Sequence, residues 1–241
     1  MVTPKRELRR ILAGLLLFSA AFGYVEAAVV AYLRSIYNPL RAQFYPGNPG
    51  ELFPLLSLQQ LQSLGPEHIL RLKIELGREL ATMLMLAGVA FTATRKPREW
   101  AAAFFICFGI WDIMFYLFLK LMLNWPASLL TWDILFLIPV PWAGPVIAPI
   151  LVSLSMIVCG FFMLWREYNR KPLHLTTWRW ALILLGGGTI VLAFAWDFRN
   201  TANGGTPNPF HWLLFAAGEV IAVGAIVTSL RGNTTAGRRR L

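Results

Sequence analysis

The chain is short of charge. Only 14% of its 241 residues are Asp, Glu, Lys or Arg, where a soluble domain carries roughly 25%. That shortage, with 57% hydrophobic residues, excludes an ordinary soluble globule. Cysteine is scarce too. Cys107 and Cys159 are the only two, both inside apolar runs and neither in a CxxC. This argues against a disulfide framework or a thiolate metal site and for small apolar packing residues. Of three histidines, only His211 falls near the interior of an apolar run, with His68 interfacial and His174 in a basic loop. Paired histidines for a membrane haem are therefore missing. No P-loop, dinucleotide fingerprint or HExxH occurs, so neither nucleotide nor a motif-bound zinc is indicated. There is no internal repeat, and no polar segment is long enough for a separate domain.

Long apolar runs are what the chain does have. A bilayer is crossed by about 20 apolar residues in a helix. Six runs qualify: Ile11–Leu33, Ile74–Ala93, Trp100–Leu123, Val146–Trp165, Thr177–Trp196 and Phe210–Leu230. The expectation is a single all-α polytopic bundle over residues 1–241. The first run is too long for a signal-peptide core and is kept as an anchor.

Orientation follows from Lys and Arg, which stay on the cytoplasmic side. Fifteen of the 22 fall on the side holding Lys5, Arg6, Arg95, Arg166, Arg170, Lys171 and the Arg238–Arg240 tail. The other seven are Arg34, Arg41, Arg71, Lys73, Arg78, Lys120 and Arg199. Both termini are thus expected in the cytoplasm, in a bacterial-type inner membrane. The net charge of +10 is mostly this topology signal, with anionic lipid as a secondary partner, and it gives no reason to invoke nucleic acid. The tail "NTTAGRRRL" reads as disordered. "LLSLQQLQSL", Leu55 to Leu64, reads as a helix on the external surface.

The stretch "LLTWDILFLIPVPWAGPVIAP", Leu129 to Pro149, is apolar but carries Pro139, Pro141, Pro145 and Pro149. Proline ends a helix, and the piece Thr131–Ile138 is too short to cross a bilayer. A short re-entrant or interfacial helix, then a proline turn, is expected before the fourth span. An acid in a first helical turn suits the dipole, which would account for Asp133.

Charge is distributed unevenly in depth. No acid or base interrupts Ile11–Val25, Leu80–Thr94, Trp100–Trp111 or Pro149–Trp165. The external halves differ: Glu26, Arg34, Glu75, Arg78, Glu79, Asp112, Lys120, Asp197, His211 and Glu219 fall there, with Asp133 in the proline-rich stretch. A charge at bilayer depth costs roughly 2.5–3.5 kcal/mol and persists where it faces partners. Glu75, Arg78, Glu79 and Thr82 share one helical stripe, and Asp112, Tyr116 and Lys120 another.

Two arrangements satisfy this pattern. One is a pocket open to the external side, lined by these groups, that binds and processes a small ligand, a lipid headgroup or a divalent cation. His211, Glu75, Glu79 and Asp112 would be the metal-ligating candidates. The other is a brace of ion pairs, Glu26, Glu75 or Glu79 with Arg78 or Arg34, and Asp112 with Lys120, in an accessory subunit of a larger membrane complex. A secondary transporter or proton pathway is the third reading, against which the uncharged inner halves weigh.

Overall fold

The computed structural model describes residues 4–47, 52–169, 173 and 175–236. Arg170, Lys171, His174 and Arg238–Arg240 of the reading above lie outside the described residues.

Among the described residues six helices are long and apolar enough to cross a membrane, and the chain is a helical, multi-pass membrane protein. They are α1 (Pro4–Phe44), α3 (Pro66–Ala93), α4 (Pro97–Leu123), α5 (Ile147–Tyr168), α6 (Thr177–Ala195) and α8 (Trp212–Ala236). Two short helices, α2 (Leu58–Leu64) and α7 (Phe198–Ala202), accompany them. Several helices outrun their apolar cores. The apolar run Ile11–Leu33 is only the middle of α1, and α3 starts eight residues before Ile74. Hydropathy detects what lipid requires, whereas a helix continues until its backbone is capped. Residues 233–236, read as part of a disordered tail, belong to α8.

Local chemistry sets the ends. Ser57 caps α2 in a box, its hydroxyl accepting from Gln60 N at 3.3 Å and its own N–H donating to Gln60 Oε1 at 2.8 Å. Gly65, at φ +133°, takes a backbone conformation that a side chain would strain, and it separates α2 from α3. Pro66 and Pro97 open α3 and α4, where a missing N–H is harmless. Asn124, at φ 52°, closes α4 with its N–H on Lys120 O.

The proline-rich stretch is not a helix. Trp132–Phe136 forms β1 and Trp142–Pro145 forms β2, an antiparallel hairpin pairing Trp132 with Pro145, Asp133 with Gly144, Ile134 with Ala143 and Phe136 with Trp142. Pro139 and Pro141 push the residues before them out of the helical region, so the chain reverses and pairs with itself. Asp133 therefore sits in a strand, and the helix-dipole explanation for it falls. Leu129 and Thr131 carbonyls accept the N–H groups of Ile147 and Val146 at 2.8 and 3.0 Å, which joins the hairpin to the start of α5. The ribbon reaches α4 through Tyr116 and the start of α8 through a Trp132–Phe210 ring contact at 6.2 Å.

The apolar core falls into two clusters: a larger one mostly among α1, α3, α4 and α5, which Phe136 of the hairpin also touches, and a smaller one of Ala148, Ile190, Ala193, Phe194 and Phe215 against Leu135 and Trp142 of the hairpin. Leu15, Leu86, Ala102, Ala103, Cys107 and Leu164 are almost fully buried in the larger one. Small residues let the helices approach closely. A Cβ on Gly109 would sit 2.5 Å from Ser153 O, and one on Gly160 would sit 2.6 Å from Ala102 O, both across the α4–α5 contact. In the triple glycine, Gly186 alone meets a neighbour, the Gly218 carbonyl of α8, while Gly187 and Gly188 face open space. Both cysteines are free and buried, and Ser19 Oγ donates to Cys107 Sγ at 3.0 Å.

Candidate functional site

Arg78 of α3 stands between two carboxylates. Its Nε donates to Glu75 Oε2 at 2.9 Å, one turn back on the same helix, and Nη1 donates to Glu26 on α1. Thr82, one turn further, places its hydroxyl 2.8 Å from the other Glu26 oxygen. The stripe of α3 read from the sequence thus meets the buried acid of α1. Glu79 turns elsewhere. Both of its oxygens accept the Leu137 N–H, at 3.0 and 2.8 Å, where the hairpin strand has ended. Its hydrogen-bond donors are backbone, while Arg78 acts on it only through its field.

Asp112 of α4 accepts from Ser153 Oγ on α5 at 2.7 Å. Asp133 of β1 accepts from Tyr116 Oη at 3.0 Å and faces Arg34 Nη2 at 3.6 Å. Burial pushes the Asp133 carboxyl up to about 6, against the opposing pull of Arg34, the Tyr116 hydroxyl and the Ile134 N–H. The Arg34 guanidinium also lies over the Trp125 ring, 3.7 Å from its centre.

These groups face one cavity of about 450 Å³, within the roughly 300–1,000 Å³ usual for ligand sites. Seven of the sequence-read candidates line it: Glu26, Arg34, Glu75, Arg78, Glu79, Asp112 and Asp133. Arg41, Arg71, Tyr37 and Tyr116 add to this charged side. The remaining wall is apolar, from Leu33, Leu61 and Leu72 through Phe108, Trp111, Phe136 and Trp142 to Ile190, Val191 and Phe194.

Four candidates do not line the cavity. Lys120 is exposed and donates to the Asn124 and Pro126 carbonyls at 3.3 and 3.0 Å, so it finishes α4 rather than pairing with Asp112. Asp197 organises the turn after α6, accepting from Asn200 Nδ2, Asn208 N and Asn208 Nδ2 at 2.8–2.9 Å. Burial works to raise its carboxyl, but these donors outweigh it and hold the group below the usual range. His211 is exposed beside the Trp196 ring, 4.9 Å between centres. Glu219 of α8 accepts from Ser155 Oγ on α5 at 2.8 Å. Likewise Glu26 pairs with Arg78 and not with Arg34. Among the described residues no three His, Cys, Asp or Glu come together to hold a metal ion, and the set His211, Glu75, Glu79 and Asp112 is not assembled.

Sequence reasoning missed Arg41 and Arg71, which it counted only as topology charges, and Ser153 and the Leu137 N–H, which carry no sequence signal. Comparison with family models, curated proteins and solved structures gives no match for this chain.

Proposed function

We propose that this protein binds an amphiphilic, membrane-borne ligand in a charged pocket open to the external side. One observation carries the reading. A single cavity carries charged groups from α1, α3, α4 and the hairpin beside a larger set of apolar side chains from those elements and from α5 and α6. The charged groups accommodate a polar headgroup and the apolar side chains a hydrocarbon portion. The Lys and Arg asymmetry supports placing the hairpin end outside and both termini in the cytoplasm, in an inner membrane whose lipids are the first partners to consider.

The test is native mass spectrometry and thermal unfolding of the full chain in mild detergent, with defined lipids added back. Val191→Trp, on the α6 wall, would fill the cavity without touching a charge. A bound lipid in the wild type that Val191→Trp loses is the supporting result. Equal lipid retention by both proteins counts against the pocket.

A second reading keeps the charges as a brace in a subunit of a larger membrane complex. The observation favouring it is that Arg78 already satisfies Glu26 and Glu75. It predicts a wild-type protein whose stability responds to no added amphiphile.

A further inference from the structure

Five carboxylates and four guanidiniums line the cavity: Glu26, Glu75, Glu79, Asp112 and Asp133 against Arg34, Arg41, Arg71 and Arg78. The pairing among them is uneven. Arg78 pairs with Glu26 and Glu75, and Arg34 pairs with Asp133. Glu79 lies in the field of Arg78 and accepts from the backbone N–H groups of Leu137 and Ile138. Asp112 is different: it is 7% exposed, forms no ion pair among the described residues, and has one donor, Ser153, on one oxygen.

The surroundings of Asp112 are aromatic. Phe108, Asp112, Phe115 and Tyr116 recur at three- and four-residue steps of α4 and so share a face. Trp111 adjoins them. Phe136 of the hairpin approaches Trp111 at 6.5 Å between ring centres and Trp142 at 5.4 Å. All of these rings line the cavity. An uncompensated carboxylate in an apolar site must take up a proton or meet a cation. Aromatic faces offer a diffuse attraction to cations but no lone pairs for a metal's coordination shell. The cation that fits both a buried acid and ring walls is one with hydrocarbon on its surface.

Resting on the amphiphile reading above, we infer that the aromatic part of this cavity recognises an ammonium group, primary or quaternary, held by Asp112. The group comes from a lipid headgroup or from a free amine; the chemistry is the same. Arg34 and Arg71, on the same cavity, offer positive charge to a neighbouring anionic group of a zwitterionic molecule.

The experiment uses the full chain in maltoside micelles and reads quenching of tryptophan fluorescence. Three probes are compared: dodecyltrimethylammonium, dodecanol and tetramethylammonium. In the wild type, dodecyltrimethylammonium is expected to bind at least about tenfold more tightly than dodecanol, the scale of one charge-assisted contact. That ratio should fall toward one in Asp112→Asn. Should this variant fail to fold, Phe115→Leu keeps the acid and is expected to reduce the ratio several-fold by removing a ring face. Tetramethylammonium binding comparable to the tailed probe would identify a free amine as the source, and its failure to bind would identify a lipid headgroup; both outcomes support the ammonium site. Equal binding of dodecyltrimethylammonium and dodecanol overturns the ammonium assignment and leaves the amphiphile reading standing. If no tailed probe binds, the amphiphile reading itself fails, and this inference with it.

Discussion

Replacing Arg78 with Met is the sharpest probe of the charged wall. The substitution keeps the length and the apolar stem of the side chain and removes only the guanidinium. Glu26 is 4% exposed and accepts from Arg78 Nη1 and Thr82 Oγ1; Glu75 accepts two of its Arg78 bonds through Nε and Nη2. The variant leaves both carboxylates with no base. Breaking a buried ion pair from one side costs about 3–5 kcal/mol, because the orphaned charge remains. A chain of this size loses about 2–4 °C of Tm per kcal/mol, so the expected fall is roughly 6–20 °C. Adding Glu26→Gln to Arg78→Met removes the more buried orphan and should restore more than half of that loss. The assay is thermal unfolding in mild detergent, followed by tryptophan fluorescence. A single variant within about 1 kcal/mol of wild type would refute the claim that Arg78 compensates these acids.

The Asp133 carboxyl, at about 6 against an ordinary 3.8, takes up its proton more readily in the fold than in the unfolded chain. The sign follows: its stabilisation is complete below about pH 4 and is lost as pH rises through about 6, a swing of roughly 3 kcal/mol, and the stability difference between wild type and Asp133→Asn should trace it. A difference that stays flat from pH 4 to 6 would contradict the burial of this group. Gly186→Ala should destabilise by about 1–3 kcal/mol through overpacking against the Gly218 carbonyl, whereas Gly188→Ala, with nothing nearby, should be neutral or gain the roughly 0.5–1 kcal/mol of helix propensity; equal effects at the two sites would disprove the α6–α8 contact. A cysteine at Val140, partly exposed in the turn, should react with an impermeant reagent applied outside, and one at Ala143, 5% exposed, should stay silent. Labelling of Val140 only from the cytoplasmic side would invert the orientation.

What could be read from the sequence was set by periodicity. The six apolar runs and the stripe Glu75, Arg78, Glu79 and Thr82 depend only on distance along a helix, and that is a local property. Asp112 with Lys120 failed for the same reason turned round. Two residues eight apart share a face but lie about 12 Å apart along the axis; Asp112 found Ser153 on α5, and Lys120 the carbonyls just past the end of its own helix. The hairpin was misread because a short apolar run looks alike as a buried helix turn or a strand. Length and the two prolines around Val140 were the signals that favoured the strand. No pattern could have announced that Glu79 would be met by the backbone of Leu137, since an N–H is common to every residue but proline.

That last contact also bears on biogenesis. Leu137 lies 58 residues after Glu79. Synthesis runs from the amino terminus, so α3 has left the ribosome before the hairpin exists. The acceptor is already waiting when the donor emerges. A buried peptide N–H without a partner is costly. A circular permutation that opens the chain at α4 would move α1–α3 to the carboxyl terminus and reverse that order, so the hairpin would have to fold before its acceptor exists.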